Sequence, residues 1–93
     1  MIGKFELFLT TTSESFVMSI THDTTFSSLR DLINANLAEL VYLPNDLVMM
    51  VDEEGLLKAN CVINNRASSI ADRLIVGKAI VIHKDDLESL EYK

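Results

Sequence analysis

Two polar stretches hold the residues that could do chemistry. Asp52, Glu53 and Glu54 stand side by side ahead of Gly55, and Asn64, Asn65 and Arg66 follow downstream. Paired carboxylates do acid–base work when one of them is desolvated. Adjacent acids in a strand or turn splay apart, so Asp52 and Glu53 are not expected to share a pocket. The run offers hard oxygens to a cation, but it lacks the alternating acids of a calcium loop. An arginine fork beside two amides suits an anion or the edge of a base. The same residues also suit a plainer role, with an asparagine capping a short helix and Arg66 paired to an acid of the 52–54 turn. Asp52, Glu54, Asn64, Asn65 and Arg66 are therefore the candidate ligand-binding residues.

Other chemistries find little support. Nucleophilic catalysis needs an activated thiol or hydroxyl near a base. Cys61 sits beside Val62 and Ile63 and reads as a small buried hydrophobe. The only histidines are His22 and His83, and neither lies in a recognisable motif. One cysteine and two distant histidines make a zinc site improbable. The three glycines, Gly3, Gly55 and Gly77, are too far apart for a phosphate loop. No catalytic residue, metal ligand or cofactor is assigned.

The elements that must position these residues follow from the apolar pattern. Residues 4–10 alternate, with Phe5, Leu7 and Leu9 on one side, and residues 16–20 alternate again after a polar link over 11–15. That pattern predicts a β-hairpin. Phe26, Leu29, Ile33 and Leu37 then recur at helical spacing, so a helix is expected over 25–36, capped by Thr24 or Thr25. The runs ELVYL and LVMMV flank Pro44, Asn45 and Asp46, which reads as a second hairpin. Gly55 suits a positive φ at a turn end. Asn64 or Asn65 is expected to cap a short helix reaching Asp72. LIVGKAIVIH, residues 74–83, reads as the strongest strand, with Gly77 as a bulge or a close backbone approach. Asp85 can cap a last helical turn with Leu87 and Leu90 inside. The expected fold is a single α+β domain over 1–93. It has a mostly antiparallel sheet and one main helix on one face, and a β-grasp-like order is one arrangement it allows.

Composition bounds the function. The chain has 93 residues, a net charge of −6 and a pI near 4.7. An acidic chain repels phosphate backbones, so direct nucleic-acid binding is not expected. Asp52–Glu54 and the Asp85, Asp86, Glu88, Glu91 group concentrate the acids, which keeps open an acidic DNA mimic that inhibits a nucleic-acid enzyme. No signal peptide is visible and no run approaches the roughly 20 apolar residues of a membrane span. A lone cysteine fits a reducing compartment, so a cytoplasmic setting is expected. The apolar fraction is 48% and mean hydropathy +0.23, high for one small core. A helix on one face would leave apolar sheet uncovered. A homodimer is therefore expected, with Tyr42, Met49 and Met50 as candidate interface residues.

The segment "LVYLPNDLVMMVDEEGLLKANCVINNRASSIADRLIVGKAIVI" resembles the small domain-of-unknown-function family numbered 3846. The resemblance rests on an apolar strand into Val51-Asp52-Glu53-Glu54-Gly55-Leu56, on Lys58, on Asn65-Arg66-Ala67-Ser68, and on Ile75-Val76-Gly77 before a last apolar strand. It covers roughly Leu40 to Ile82. The family often carries a proline before the asparagine, where this chain has Cys61-Val62-Ile63. Members occur mostly in phages, plasmids and other mobile elements, and the family brings no established catalytic residues. The resemblance implies a non-enzymatic accessory protein in the host cytoplasm. Such a protein would bind a host protein or sequester a small anionic or nucleotide signal, for instance against host defence. A small enzyme of unknown type is the remaining alternative.

Overall fold

The computed structural model describes residues 3–10, 14–58 and 61–90. Five strands form one sheet in the order β2-β1-β5-β4-β3, and every neighbouring pair is antiparallel. The strands are β1 (Lys4–Phe8), β2 (Ser15–Ser19), β3 (Ala38–Leu43), β4 (Leu47–Asp52) and β5 (Ala79–His83). Three short helices accompany them: α1 (Phe26–Leu32), α2 (Asn65–Ala71) and α3 (Lys84–Leu90). A single 3-10 turn, Gly55–Leu57, follows β4. This is an α+β fold. It departs from a β-grasp-like order in one respect: β1 and β5 are antiparallel neighbours, where a β-grasp sheet runs its central pair in parallel.

Both hairpins form where alternation and turn residues place them. β1 and β2 pair from Lys4↔Ser19 to Phe8↔Ser15. Their connection, expected over residues 11–15, lies largely outside the described residues. β3 and β4 pair from Ala38↔Asp52 to Leu43↔Leu47, with Asn45 and Asp46 in the left-handed region at φ 65° and 60°. Asparagine and aspartate tolerate that region better than other side-chain-bearing residues. β5 then joins the two hairpins by pairing with β1 on one side and β4 on the other.

One face of the sheet is covered along its length, and the other only over β4 and the start of β5, leaving a groove along Lys4, Glu6, Val17, Val81 and His83 open. On one face, Phe5, Leu7, Val48, Met50, Ile80 and Ile82 meet Leu29 and Ile33 from the α1 segment and Leu87 and Leu90 from α3. On the other, Met49, Val51 and Ala79 meet Ala67 of α2 and Ile75. This explains the weak alternation of LVMMV: both sides of β4 are buried, so both must be apolar. The α1 segment packs on one face as expected, while the second face, expected to be bare, is partly covered by α2 and Ile75.

Local chemistry sets the helix ends. Thr25 caps α1 in a reciprocal box, accepting from Ser28 N at 3.0 Å while Ser28 Oγ accepts from Thr25 N at 2.8 Å. α1 ends earlier than 25–36, because Ile33 closes it and Asn34 turns to φ 58°. β5 is shorter than 74–83. Gly77 stands at φ 82° and ends the extended run, leaving Val76 in an isolated bridge with Ile63. Gly55, expected at positive φ, is glycine for another reason. A Cβ there would lie 3.2 Å from the Val76 carbonyl oxygen.

Candidate functional site

Asn64 is the most constrained of the candidate residues. It precedes α2 and is almost fully buried. Its Oδ1 accepts from Ala67 N at 3.0 Å, which caps the helix. Its Nδ2 donates to Gly77 O at 2.9 Å and to Phe8 O at 3.3 Å. One amide therefore ties α2, the Gly77 turn and the end of β1 together. Its side chain faces the interior, so it offers nothing to a ligand. The neighbouring Asn65 is exposed at the first position of α2.

Asp52 ends β4 and is also buried. Its Oδ1 accepts from Glu54 N at 2.9 Å, closing the turn, and its Oδ2 lies 2.6 Å from Lys58 Nζ. Lys58 also donates to the carbonyl oxygen of Asn34, beyond α1. The sequence suggested Arg66 as partner to this turn, but Asp52 pairs with Lys58. A buried carboxylate needs such a partner, because desolvating its charge alone is costly. A cleft of about 180 Å³ opens beside this pair, lined in part by Asn34, Asp52, Lys58, Cys61, Val62 and Lys78. Cys61 is exposed here, contrary to the expectation of a buried thiol.

Arg66 belongs to a different place. Its guanidinium lies 5.0 Å from the Phe8 ring centroid, in cation–π range, and its Nη1 donates to Ser15 Oγ at 3.3 Å. Ser15 Oγ in turn donates to Glu6 Oε2. The candidate residues thus divide. Asp52 adjoins the cleft, Asn64 is enclosed, and Arg66 reaches over β1 toward β2. They do not converge on one pocket. Sequence reasoning named Lys58 only within the resemblance and gave it no role, and it missed Lys78, since an isolated lysine carries no spacing pattern.

Two of the expected interface residues are corrected. Met49 and Met50 are fully buried, one on each face of β4, because α2 and the α1–α3 layer cover them. They present no surface to a partner. Tyr42, on the edge strand β3, remains 69% exposed. The acidic groups are also divided. Asp86 is buried and accepts from Gly3 N at 3.0 Å, while Asp85 and Glu88 face solvent. Glu91 lies outside the described residues. No group of three or more His, Cys, Asp or Glu side chains is placed to hold a metal among the described residues. No helix there is long and apolar enough to cross a membrane.

The fold and the site define an antiparallel α+β domain with helices on both faces of the sheet and a small mixed-charge cleft at one end. No family model, curated protein or solved structure matches the chain.

Proposed function

We propose that this chain is a non-enzymatic binding module that works by occupying a partner protein. One observation carries the reading. Leu56, Leu57, Val62 and Ile63, on the segment between β4 and α2, all keep their apolar side chains exposed. Exposed apolar groups gathered on one connecting segment are what a protein interface uses. The cleft beside Asp52 and Lys58, at about 180 Å³, is smaller than the ~300–1,000 Å³ typical of small-molecule sites. That size favours a protein partner over a sequestered nucleotide. The resemblance to phage and mobile-element accessory proteins supplies the setting, a bacterial host protein in the cytoplasm, with counter-defence as the role.

Acidic DNA mimicry is the weaker reading. Asp52 and Asp86 are held inside the fold, and Arg73 clamps Glu39 at 3.1 and 3.2 Å, which interrupts any ladder of free carboxylates. The test is affinity capture from bacterial lysate with the native chain and with a Leu57→Lys, Val62→Glu double variant. A protein retained by the native chain and lost by a folded variant supports the reading. Equal capture by both, or none by either, overturns it.

A further inference from the structure

We propose that the chain forms a symmetric dimer by pairing β2 with β2 of a second copy, antiparallel and centred on Val17. β2 is an edge strand of the sheet. Its sequence, Ser-Phe-Val-Met-Ser, reads nearly the same in both directions about Val17. A two-fold axis through Val17 therefore sets Val17 against Val17, Phe16 against Met18, and Ser15 against Ser19. Like meets like at each position, as an isologous interface requires.

The backbone has the matching phase. Ile20 N donates to Gly3 O at 2.7 Å, and Leu9 N donates to Glu14 O at 3.2 Å. Antiparallel pairs alternate between bonded and non-bonded types. With the β1–β2 register, those two bonds make Phe5↔Met18 and Leu7↔Phe16 the bonded pairs. The N–H and C=O groups of Ser15, Val17 and Ser19 then point away from β1, at the open edge. A two-fold at Val17 makes Val17↔Val17 and Ser15↔Ser19 bonded pairs across the interface. Every outward backbone group of both strands finds a partner. A register shifted by one residue would set inward-pointing groups against outward ones.

The side chains agree. Phe16, Val17 and Met18 are 48%, 65% and 37% exposed, and β2 carries no charge and no proline. Proteins guard free sheet edges with charges, prolines or bulges. The opposite edge, β3, has such guards: Glu39 clamped by Arg73, and Pro44 at its end. β2 has none. Pairing would join two five-stranded sheets into one continuous sheet, with Phe16 beside Met18 on one face and two valines in contact on the other. The proposal does not depend on the function proposed above, since it uses a different surface.

Light scattering across a dilution series of the whole chain tests it. The native chain is expected at about twice the 10.4 kDa chain mass at the concentrated end. Val17→Lys and Val17→Glu each place like charges across the axis, and each is expected at the single-chain mass. Their equimolar mixture should return to the doubled mass, because lysine then faces glutamate. Hydrogen exchange gives an independent reading without substitution. The amides of Ser15 and Val17 should slow as concentration rises, while those of Phe16 and Met18, already bonded to β1, should not change. A native chain that stays single at every concentration overturns the proposal. So does a folded Val17→Lys variant that keeps the doubled mass, or a mixture that fails to reassociate.

Discussion

Asn64 shows how far a residue's chemistry could be read before its surroundings were known. Its role as a cap was legible, because asparagine ahead of a short helix satisfies a free N–H. Its bonds to Phe8 O and Gly77 O were not, because they join segments far apart in the chain. Asn64→Ala should cost about 2–4 kcal/mol, by losing the cap and the two amide bonds that tie α2 to Phe8 O and Gly77 O. Asn64→Asp keeps the acceptor but sets a carboxylate against those carbonyls, so it should be about as harmful. Urea unfolding of both variants checks this, and a near-native Asp variant would reduce the residue to a simple cap. Two glycines separate in the same way. Gly77→Ala should cost ~1–2 kcal/mol through its dihedral alone, and Gly77→Asn less, since nothing lies within 4 Å of the added Cβ. Gly55→Ala should destabilise modestly by crowding the Val76 carbonyl oxygen, a backbone atom 3.2 Å from the added Cβ, and Gly55→Asn should not be milder. Melting temperatures of the four variants distinguish the two causes.

At the scale of elements, both hairpins and the three helices could be read from alternation, turn residues and spacing, but Asp85, expected to cap the last helix, lies inside its first turn, because α3 starts at Lys84. What escaped was the service α2 performs. Its buried contact is Ala67, and its other apolar residues are Ile70 and Ala71. So small a stripe gives a weak periodic signal, though alanine is what lets a helix sit close over Met49 and Val51. Once α2 covers that face, the surplus apolar residues of β4 need no partner. The strand ends escaped for a related reason. Ile75 and Val76 look like strand, yet with the backbone turned at Gly77, Ile75 packs over β4 and Val76 only bridges Ile63. α1 owes its start to the Thr25–Ser28 box. Thr25→Ala should cost ~1 kcal/mol, and Thr25→Ser or Thr25→Asp should recover most of it. The measurement is the urea midpoint at constant slope.

For the whole molecule, the apolar pattern called for the α+β fold that the structure has, and it held nothing from which to name a partner. The sheet order was hidden because strand neighbours that are distant in sequence leave no local trace. The order β2-β1-β5-β4-β3 puts the strand that comes after all the others at the centre. Each hairpin can close alone, but neither reaches the other until β5 arrives. A chain cut after Gly77 should therefore be degraded rapidly by a protease that the whole chain resists, and a resistant truncated chain would show that the hairpins stand alone. On the ribosome, this timing leaves two half-built sheets waiting with their inner rims open. Final assembly of the domain then awaits release of residues 79–83 from the exit tunnel, and nascent chains held just short of that point would be natural clients for a chaperone.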